Sequence, residues 1–357
     1  MIDTRAIELS HEPISVVIPA YNLGHYIRDA IESVLKQDYA GPLSIVVLDD
    51  GSSDNTWQVV AAMAATSPNI RCYTQPNQGR VAARNRLLQL APTELVAWLD
   101  GDDIAAITWI SDQTGFLREH PEVVAVSGQG YAMTASGQAI GPIRHPLTSE
   151  EIHTRHIAGD AATFFQSCVM TRKTAVERAG SYREKYPAGE DYDLWLRLHE
   201  IGKLANLDRY HLFYRVHPTS ANWTERNEQR EQGASIVNEA RERNGLPPFE
   251  IARSDSVSPT LDDWHRRIYW INIALRSGNP KSALDMLWPA LQRHPCSLLL
   301  WFFVLVGCFD AILFFGNKTT HLQPGHSGRF GDLPWISTYR LGRFIVRLQR
   351  SWRQRPQ

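Results

Sequence analysis

The hydrophobic positions of the first hundred residues fall into two alternating patterns. Short β-branched runs occur at 14–18 (ISVVI), 44–48 (SIVVL), 70–74 (IRCYT) and 94–99 (ELVAWL). Between them the apolar residues take helical spacing: Tyr26, Ile27, Ala30, Ile31, Val34 and Leu35 mark one face of a first helix. A second helix is predicted over 54–65 with Asp54 as its N-cap, and a third over 80–90. Strands alternating with helices of this length imply βαβ units, so the expected class is α/β, a Rossmann-like, mostly parallel sheet flanked by helices.

Beyond Asp103 the alternation loosens. A helix is expected over 108–119 and a strand over 123–127. The glycines Gly128, Gly130, Gly137 and Gly141 suggest turns joining short antiparallel strands, and Gly128-x-Gly130 reads as a turn. A helix over 191–201 and a strand over 211–216 follow. After Trp223 a polar helix runs to about Arg243, where Gly245-Leu-Pro-Pro stops it. The segments 264–277 and 281–293, joined by Gly278-Asn279-Pro280, resemble a helical hairpin of the tetratricopeptide kind, which must bury its face against the main domain or a partner. The expected organisation is a domain over 1–222, a helical linker over 223–260 and an all-helical appendage over 261–357.

Two late segments point toward a membrane. Residues 297–316 are apolar except for Ser297 and Asp310, long enough to span a bilayer at about 1.5 Å per residue, yet Asp310 favours burial against protein. Within 338–353, Arg340, Arg343, Arg347 and Arg350 share one helical face, and Leu341, Phe344, Ile345, Leu348 and Trp352 the other. That pattern suits an anionic membrane surface, or a helix docked on the domain with its Arg face in solvent.

Composition adds bounds. The chain has 357 residues, 37 Lys+Arg against 38 Asp+Glu and 43% hydrophobic residues, which excludes disorder and fibrous repeats. A formal charge of −1 gives no pull toward nucleic acid, but it is a sum of unlike parts. The residues from Arg329 onward hold seven Arg and one Asp. Four cysteines without a CxxC pair argue against a zinc ribbon or a disulfide framework. Residues 1–13 lack an apolar core of secretory type, so a cytoplasmic location is expected, peripheral at the inner face of the cell membrane.

The polar residues cluster where the predicted strands end: Pro19-Ala20-Tyr21-Asn22, Asp49-Asp50-Gly51-Ser52 and Asp100-Gly101-Asp102-Asp103. One such loop alone is an ordinary cap or solvated turn. Three at the carboxyl ends of parallel strands meet in the crevice where open α/β sheets bind ligands. The carboxylates at 100–103 repel unless neutralised, and Mg²⁺ or Mn²⁺ held by Asp102, with Asp100 through water, could bridge a nucleoside diphosphate. No GxxxxGK[ST] or complete GxGxxG cradle is present, so Arg80 and Arg84, at i and i+4, are candidates for phosphate charge. His153 with His156 reads as surface or helix packing, and Cys168, in an apolar run, as a buried structural thiol.

Val16-Val-Ile-Pro-Ala-Tyr-Asn22, Leu48-Asp-Asp-Gly-Ser-Ser-Asp54, Gln78-Gly-Arg-Val-Ala-Ala-Arg-Asn85, Trp98-Leu-Asp-Gly-Asp-Asp103 and Gly189-Glu-Asp-Tyr-Asp-Leu-Trp-Leu-Arg197 occur in that order. Together they resemble the successive signatures of family-2 glycosyltransferases of the GT-A fold, over about residues 13–220. The resemblance implies an inverting transfer of a sugar from a nucleoside-diphosphate donor, UDP- or dTDP-linked by preference, to a glycan or lipid-linked acceptor. It places Pro19, Ala20, Tyr21, Asn22, Asp49 and Asp50 at the nucleotide, with Tyr21 beside the base and Asp50 accepting from a base NH. Asp100-Gly101-Asp102 becomes a DxD motif whose second Asp binds the metal, His217 another metal or phosphate contact, and Asp191 the catalytic base. Glu190 would bind an acceptor hydroxyl. Trp195 reads as core, or as a border of the acceptor site. Two rival readings remain: a sugar-phosphate nucleotidyltransferase, whose Gly-rich N-terminal loop is missing, and a non-catalytic nucleotide-sugar-binding or assembly module.

Overall fold

The computed structural model describes residues 12–249 and 259–293. The expectations on 297–316 and 338–353 lie outside the described residues. The strands are β1 Ile14–Ala20, β2 Leu43–Asp49, β3 Ile70–Thr74, β4 Leu95–Trp98, β5 Ile104–Ala105, β6 Val123–Thr134, β7 Ala139–Ile143, β8 Val169–Arg172 and β9 Lys203–Val216. The helices are α1 Ile27–Leu35, α2 Thr56–Ala64, α3 Arg80–Leu90, α4 Trp109–Glu119, α5 Ser149–Ile157, α6 Lys173–Arg178, α7 Glu190–Leu198, α8 Ala221–Thr224, α9 Arg226–Arg243, α10 Pro259–Arg276 and α11 Pro280–Arg293.

The strands form one sheet in the order β3-β2-β1-β4-β8-β6-β9-β5, with β7 paired to β6. Pairs β3–β2, β2–β1, β1–β4 and β6–β9 are parallel, while β8, β7 and β5 run against their neighbours. The sheet is therefore mostly parallel. Its central strands are apolar on both sides because both faces are covered. Val16, Ile18, Ile45 and Val47 join α1, α2 and α4 in one core; Val17, Val46, Leu48 and Trp98 join α3, α6 and α7 in the other.

Three local expectations are corrected. Helix α2 starts at Thr56 with Asn55 as the N-cap; Asp54 lies one residue earlier and accepts from the Thr56 N–H (2.9 Å) and the Gly24 N–H (2.9 Å). Gly128 and Gly130 make no turn: they lie inside β6, where a Cβ would meet His211 Nδ1 at 2.4 Å and Phe165 Cζ at 2.6 Å. The reversal belongs to Gly137, whose φ of +82° suits glycine. Strands β6 and β9 are also longer than their apolar runs predict, because each pairs along most of its length with the other.

The C-terminal helices dock on this frame. Ile236, Val237 and Ala240 of α9 bury against Tyr192 and Leu196 of α7. The α10–α11 hairpin packs Ile271, Ala274, Ala283 and Leu287 on Ala132 and Ile140 of the β6–β7 ribbon. Asn279 Nδ2 donates to Ile140 O (3.1 Å) and Ser282 Oγ to Ala139 O (2.6 Å). The hairpin's apolar face is covered by the domain, one of the two alternatives its pattern left open.

Candidate active site

The crevice is assembled at the carboxyl ends of β1, β2 and β4. After β1, Tyr21 is 50% exposed and Asn22 takes a left-handed φ of 54°. That conformation turns the Asn22 side chain toward the β2 loop, where its Oδ1 accepts from Ser53 N (2.8 Å) and its own N–H donates to Ser52 Oγ (2.9 Å). Pro19 and Ala20 precede them in β1, half-buried and buried. The β1 and β2 tips are thus tied into one rim.

Asp49 and Asp50 are both buried, and each is engaged by protein. Asp49 accepts from Ser52 and from Thr74 Oγ1 (3.4 Å). Asp50 accepts from Gln75 Nε2 (2.6 Å), Gln78 N (3.1 Å) and Gly79 N (2.9 Å), so its carboxylate shapes the loop that leads into α3. The sequence marked Asp50 as a group free to meet a base; its side chain is already occupied with that loop. Gln75 is a member of this rim that the sequence did not single out.

After β4, the loop 100–103 runs directly under β1. A Cβ on Gly101 would meet Ile27 Cδ1 at 2.8 Å, Leu23 Cδ1 at 2.9 Å and Pro19 O at 3.2 Å, so the close approach requires glycine. Asp103 points inward and accepts from the Arg215 N–H (2.8 Å). Burial, with Asp102 and Asp100 close by, pushes its carboxyl well above the usual range. Asp102 points outward, its Oδ2 2.9 Å from His217 Nε2, while His217 Nδ1 meets Thr219 Oγ1 at 2.9 Å. Asp102 and His217, 115 residues apart in sequence, are therefore brought together.

A carboxylate oxygen and an imidazole nitrogen converging at this distance fit a divalent cation such as Mn²⁺, with water and phosphate oxygens supplying the remaining ligands. Among the described residues no group of three or more His, Cys, Asp or Glu stands ready to hold a metal.

The two arginines of α3 are not free. Arg84 is buried between Asp100 (3.2 Å) and Glu190 (3.3 Å), with Tyr182 beside its guanidinium. Burial opposes its charge, but Asp100 and Glu190 outweigh that and hold it protonated. Arg80, nearer solvent, pairs with Glu225, a partner the sequence did not reveal. Glu190 is only 2% exposed and turned to Arg84; burial raises its carboxyl to about 7 although Arg84 acts the other way. It braces Arg84 rather than standing open to an acceptor.

Asp191 follows it in the first turn of α7, half-buried, its Oδ1 accepting from the Tyr192 N–H (2.7 Å). Asp193 is committed elsewhere, to Arg183 and to Arg197 (2.6 Å). Trp195 is 1% exposed and packs edge-on against Phe164 in the core, so its ring borders no acceptor site. Two other candidates are structural as expected. Cys168 is buried, which raises its thiol well above the usual range. His156 is buried with its ring 5.5 Å from that of His199.

Comparison with known proteins bears on this arrangement. The model of the family "Glycosyl transferase family 2" matches residues 15–180. The Escherichia coli UDP-Glc:alpha-D-GlcNAc-diphosphoundecaprenol beta-1,3-glucosyltransferase WfaP is 30% identical over 214 residues, 58% of this chain and 79% of that protein. Hyaluronan synthase of Pasteurella multocida is 24% identical over 246 residues, 68% of this chain, but the match spans only 24% of that protein's length. Among solved structures, the mannosyltransferase PcManGT from Pyrobaculum calidifontis in complex with GDP-Man and Mn²⁺ has the same fold, with a TM-score of 0.50 and 19% identity across 85% of this chain and 81% of that one. With five ordered motifs gathered on one crevice and a relative matched over most of its length, this chain belongs to glycosyltransferase family 2 and is a glycosyltransferase.

Proposed function

We propose that the enzyme moves a sugar from a nucleoside-diphosphate donor, UDP- or dTDP-linked by preference, to a hydroxyl of a glycan or lipid-linked acceptor, with inversion at the anomeric carbon. The carrying observation is the convergence on one crevice of the Asp102–His217 pair, the Arg84–Asp100–Glu190 cluster and the N-terminus of α7. Tyr21 and Asn22 offer the exposed rim for the nucleotide, and Arg80, half-exposed and paired with Glu225, is a candidate cation for its phosphates. Asp191 accepts the proton of the acceptor hydroxyl as that oxygen attacks the anomeric carbon; the bond to the diphosphate breaks and its electron pair leaves with the diphosphate. A divalent ion, Mn²⁺ or Mg²⁺, held by Asp102 and His217 would neutralise charge on that leaving group. Arg84, fixed between Asp100 and Glu190, holds the donor side of the crevice to the helix that carries Asp191.

The relatives lend this support in kind: WfaP is named for a UDP-Glc donor and a diphosphoundecaprenol-linked acceptor, and PcManGT was solved with GDP-Man and Mn²⁺. A lipid-linked acceptor also suits a peripheral position on an anionic membrane through 297–316 and 338–353. Among the described residues no helix is long and apolar enough to cross a membrane. Flotation with anionic liposomes of the full chain and of a chain ending after residue 328 checks that part, and equal binding by both clears the basic tail of a role.

The principal experiment is a screen of UDP-, dTDP- and GDP-sugars for binding and turnover with Mn²⁺, Mg²⁺ or chelator. At least one donor should be consumed in a metal-dependent way, faster with a glycan or lipid-linked acceptor present. Donor binding and turnover that persist in chelator would remove the metal from Asp102 and His217.

A further inference from the structure

The crevice lies on one side of the Asp102–His217 pair. Its other side is occupied by Arg215, two residues before His217 and only 3% exposed. The Arg215 N–H donates to Asp103 Oδ1 (2.8 Å) and its Nε to the carbonyl oxygen of Asp102 (2.7 Å). Nη1 donates to Ala135 O (2.8 Å), at the β6–β7 turn, and Nη2 to Asp29 Oδ2 (3.0 Å) on α1. The guanidinium also lies 4.9 Å from the centre of the Tyr26 ring, and that ring packs 4.8 Å from the imidazole of His217.

One planar fork on β9 thus fastens three other segments of the chain, and two of its contacts bear on the candidate metal ligands. The main chain of Asp102 is fixed by Nε. The ring of His217 is backed by the same tyrosine that the guanidinium covers. Arg215 touches neither crevice nor solvent, so its contribution passes through these neighbours. An arginine is suited to this because its fork meets several acceptors in one plane, which the single ammonium of lysine does not.

We infer that Arg215 is a positioning residue for the cation site: with Tyr26 and Asp29 it sets the angle at which the Asp102 carboxylate and the His217 imidazole converge. This rests on the reading of those two side chains as metal ligands. Outer partners of this kind change metal affinity by about 10–100-fold when removed.

The test is a Mn²⁺ titration followed by electron paramagnetic resonance, in the presence of whichever of UDP, dTDP or GDP binds the wild type. The wild type comes first: if it takes up no Mn²⁺ with any of them, the metal reading itself fails. If it does, Arg215→Met should weaken Mn²⁺ binding by about 10–100-fold while leaving metal-free nucleotide binding unchanged. Arg215→Lys should recover little of the loss. A purely structural arginine would lower the melting temperature and leave the Mn²⁺ affinity of the folded protein intact, and that result, or full recovery by lysine, overturns the inference. Should Arg215→Met fail to fold, Asp29→Asn and Tyr26→Leu carry the test. Both are expected to weaken Mn²⁺ in the same direction by a smaller factor, and wild-type affinity in both overturns it equally.

Discussion

The two halves of the sheet build the site in different ways. In β3-β2-β1-β4 every pair is parallel and the register runs without a slip. Each strand ends where its polar motif begins, so Tyr21, Asp50 and Asp102 reach the crevice within a few residues of a strand. In β8-β6-β9-β5 the pairing is mixed, and β6 shifts register against β9 three times and against β7 once. There the useful side chains arrive from far away: Asp191 on a helix, Arg215 and His217 at the end of a long strand. The regular half supplies a platform, and the irregular half aims single groups at it. Bulges that re-aim side chains next to functional sites do this work commonly.

Substitutions in each half sharpen that contrast. The largest effect is expected at Asp191, in the irregular half, where Asp191→Asn should lower turnover by about 10²–10⁴-fold with donor binding unchanged; single-turnover transfer beside equilibrium donor binding reads both, and retained turnover moves the base elsewhere. Two residues on, Asp193→Ala removes the counter-ion of the buried Arg197, leaving it only the carbonyls of Ala179 and Ser181, and should cost about 3–5 kcal/mol in denaturant unfolding. A loss near zero would mean that the two carbonyls and water suffice for the Arg197 charge. In the platform, Gly101→Ala should cost about 1–3 kcal/mol by overpacking against Leu23, Ile27 and Pro19. Its donor affinity should fall as well, because the loop must lift away from β1.

A further test concerns the contact that joins the halves. Glu190 in the fold holds its proton up to about 7, against 4.5 as its ordinary value. The native state then binds more protons than the unfolded chain between those limits, so this group's contribution is present below about 4.5 and lost as pH rises through about 7. Glu190→Gln has no such titration. The melting temperature of the variant relative to wild type should therefore rise from pH 4.5 to 7.5, and a flat or opposite trend would show Glu190 ionised throughout that range.

Much of the platform was legible in the sequence because its signals are local. The strand 70–74 and the helix 80–90 fall where the apolar pattern put them, and the crevice follows from where the parallel strands stop. The pattern misled where a pairing partner decided the outcome. Gly128 and Gly130 read as turn residues, but β6 continues through them because β9 lies alongside and His211 and Phe165 fill the space a side chain would need. Asp50 was expected at a nucleotide base and Glu190 at an acceptor hydroxyl, and both side chains are engaged by protein. Their partners, the 75–79 loop and Arg84, come from distant segments that carry no mark of the pairing.

The sequence by itself determined the α/β class, the five ordered motifs, and the delivery of acids to the carboxyl edge of a parallel sheet. A strand's end and a helix's start are set by neighbouring residues, so these features survive reading one segment at a time. Only the tertiary structure decided which acids face outward. Asp102 meets His217 while Asp103 turns in to Arg215, and Trp195 goes to the core rather than to an acceptor. Those choices depend on contacts across a hundred residues, where burial and hydrogen-bond satisfaction are settled by the packed whole and not by spacing along the chain.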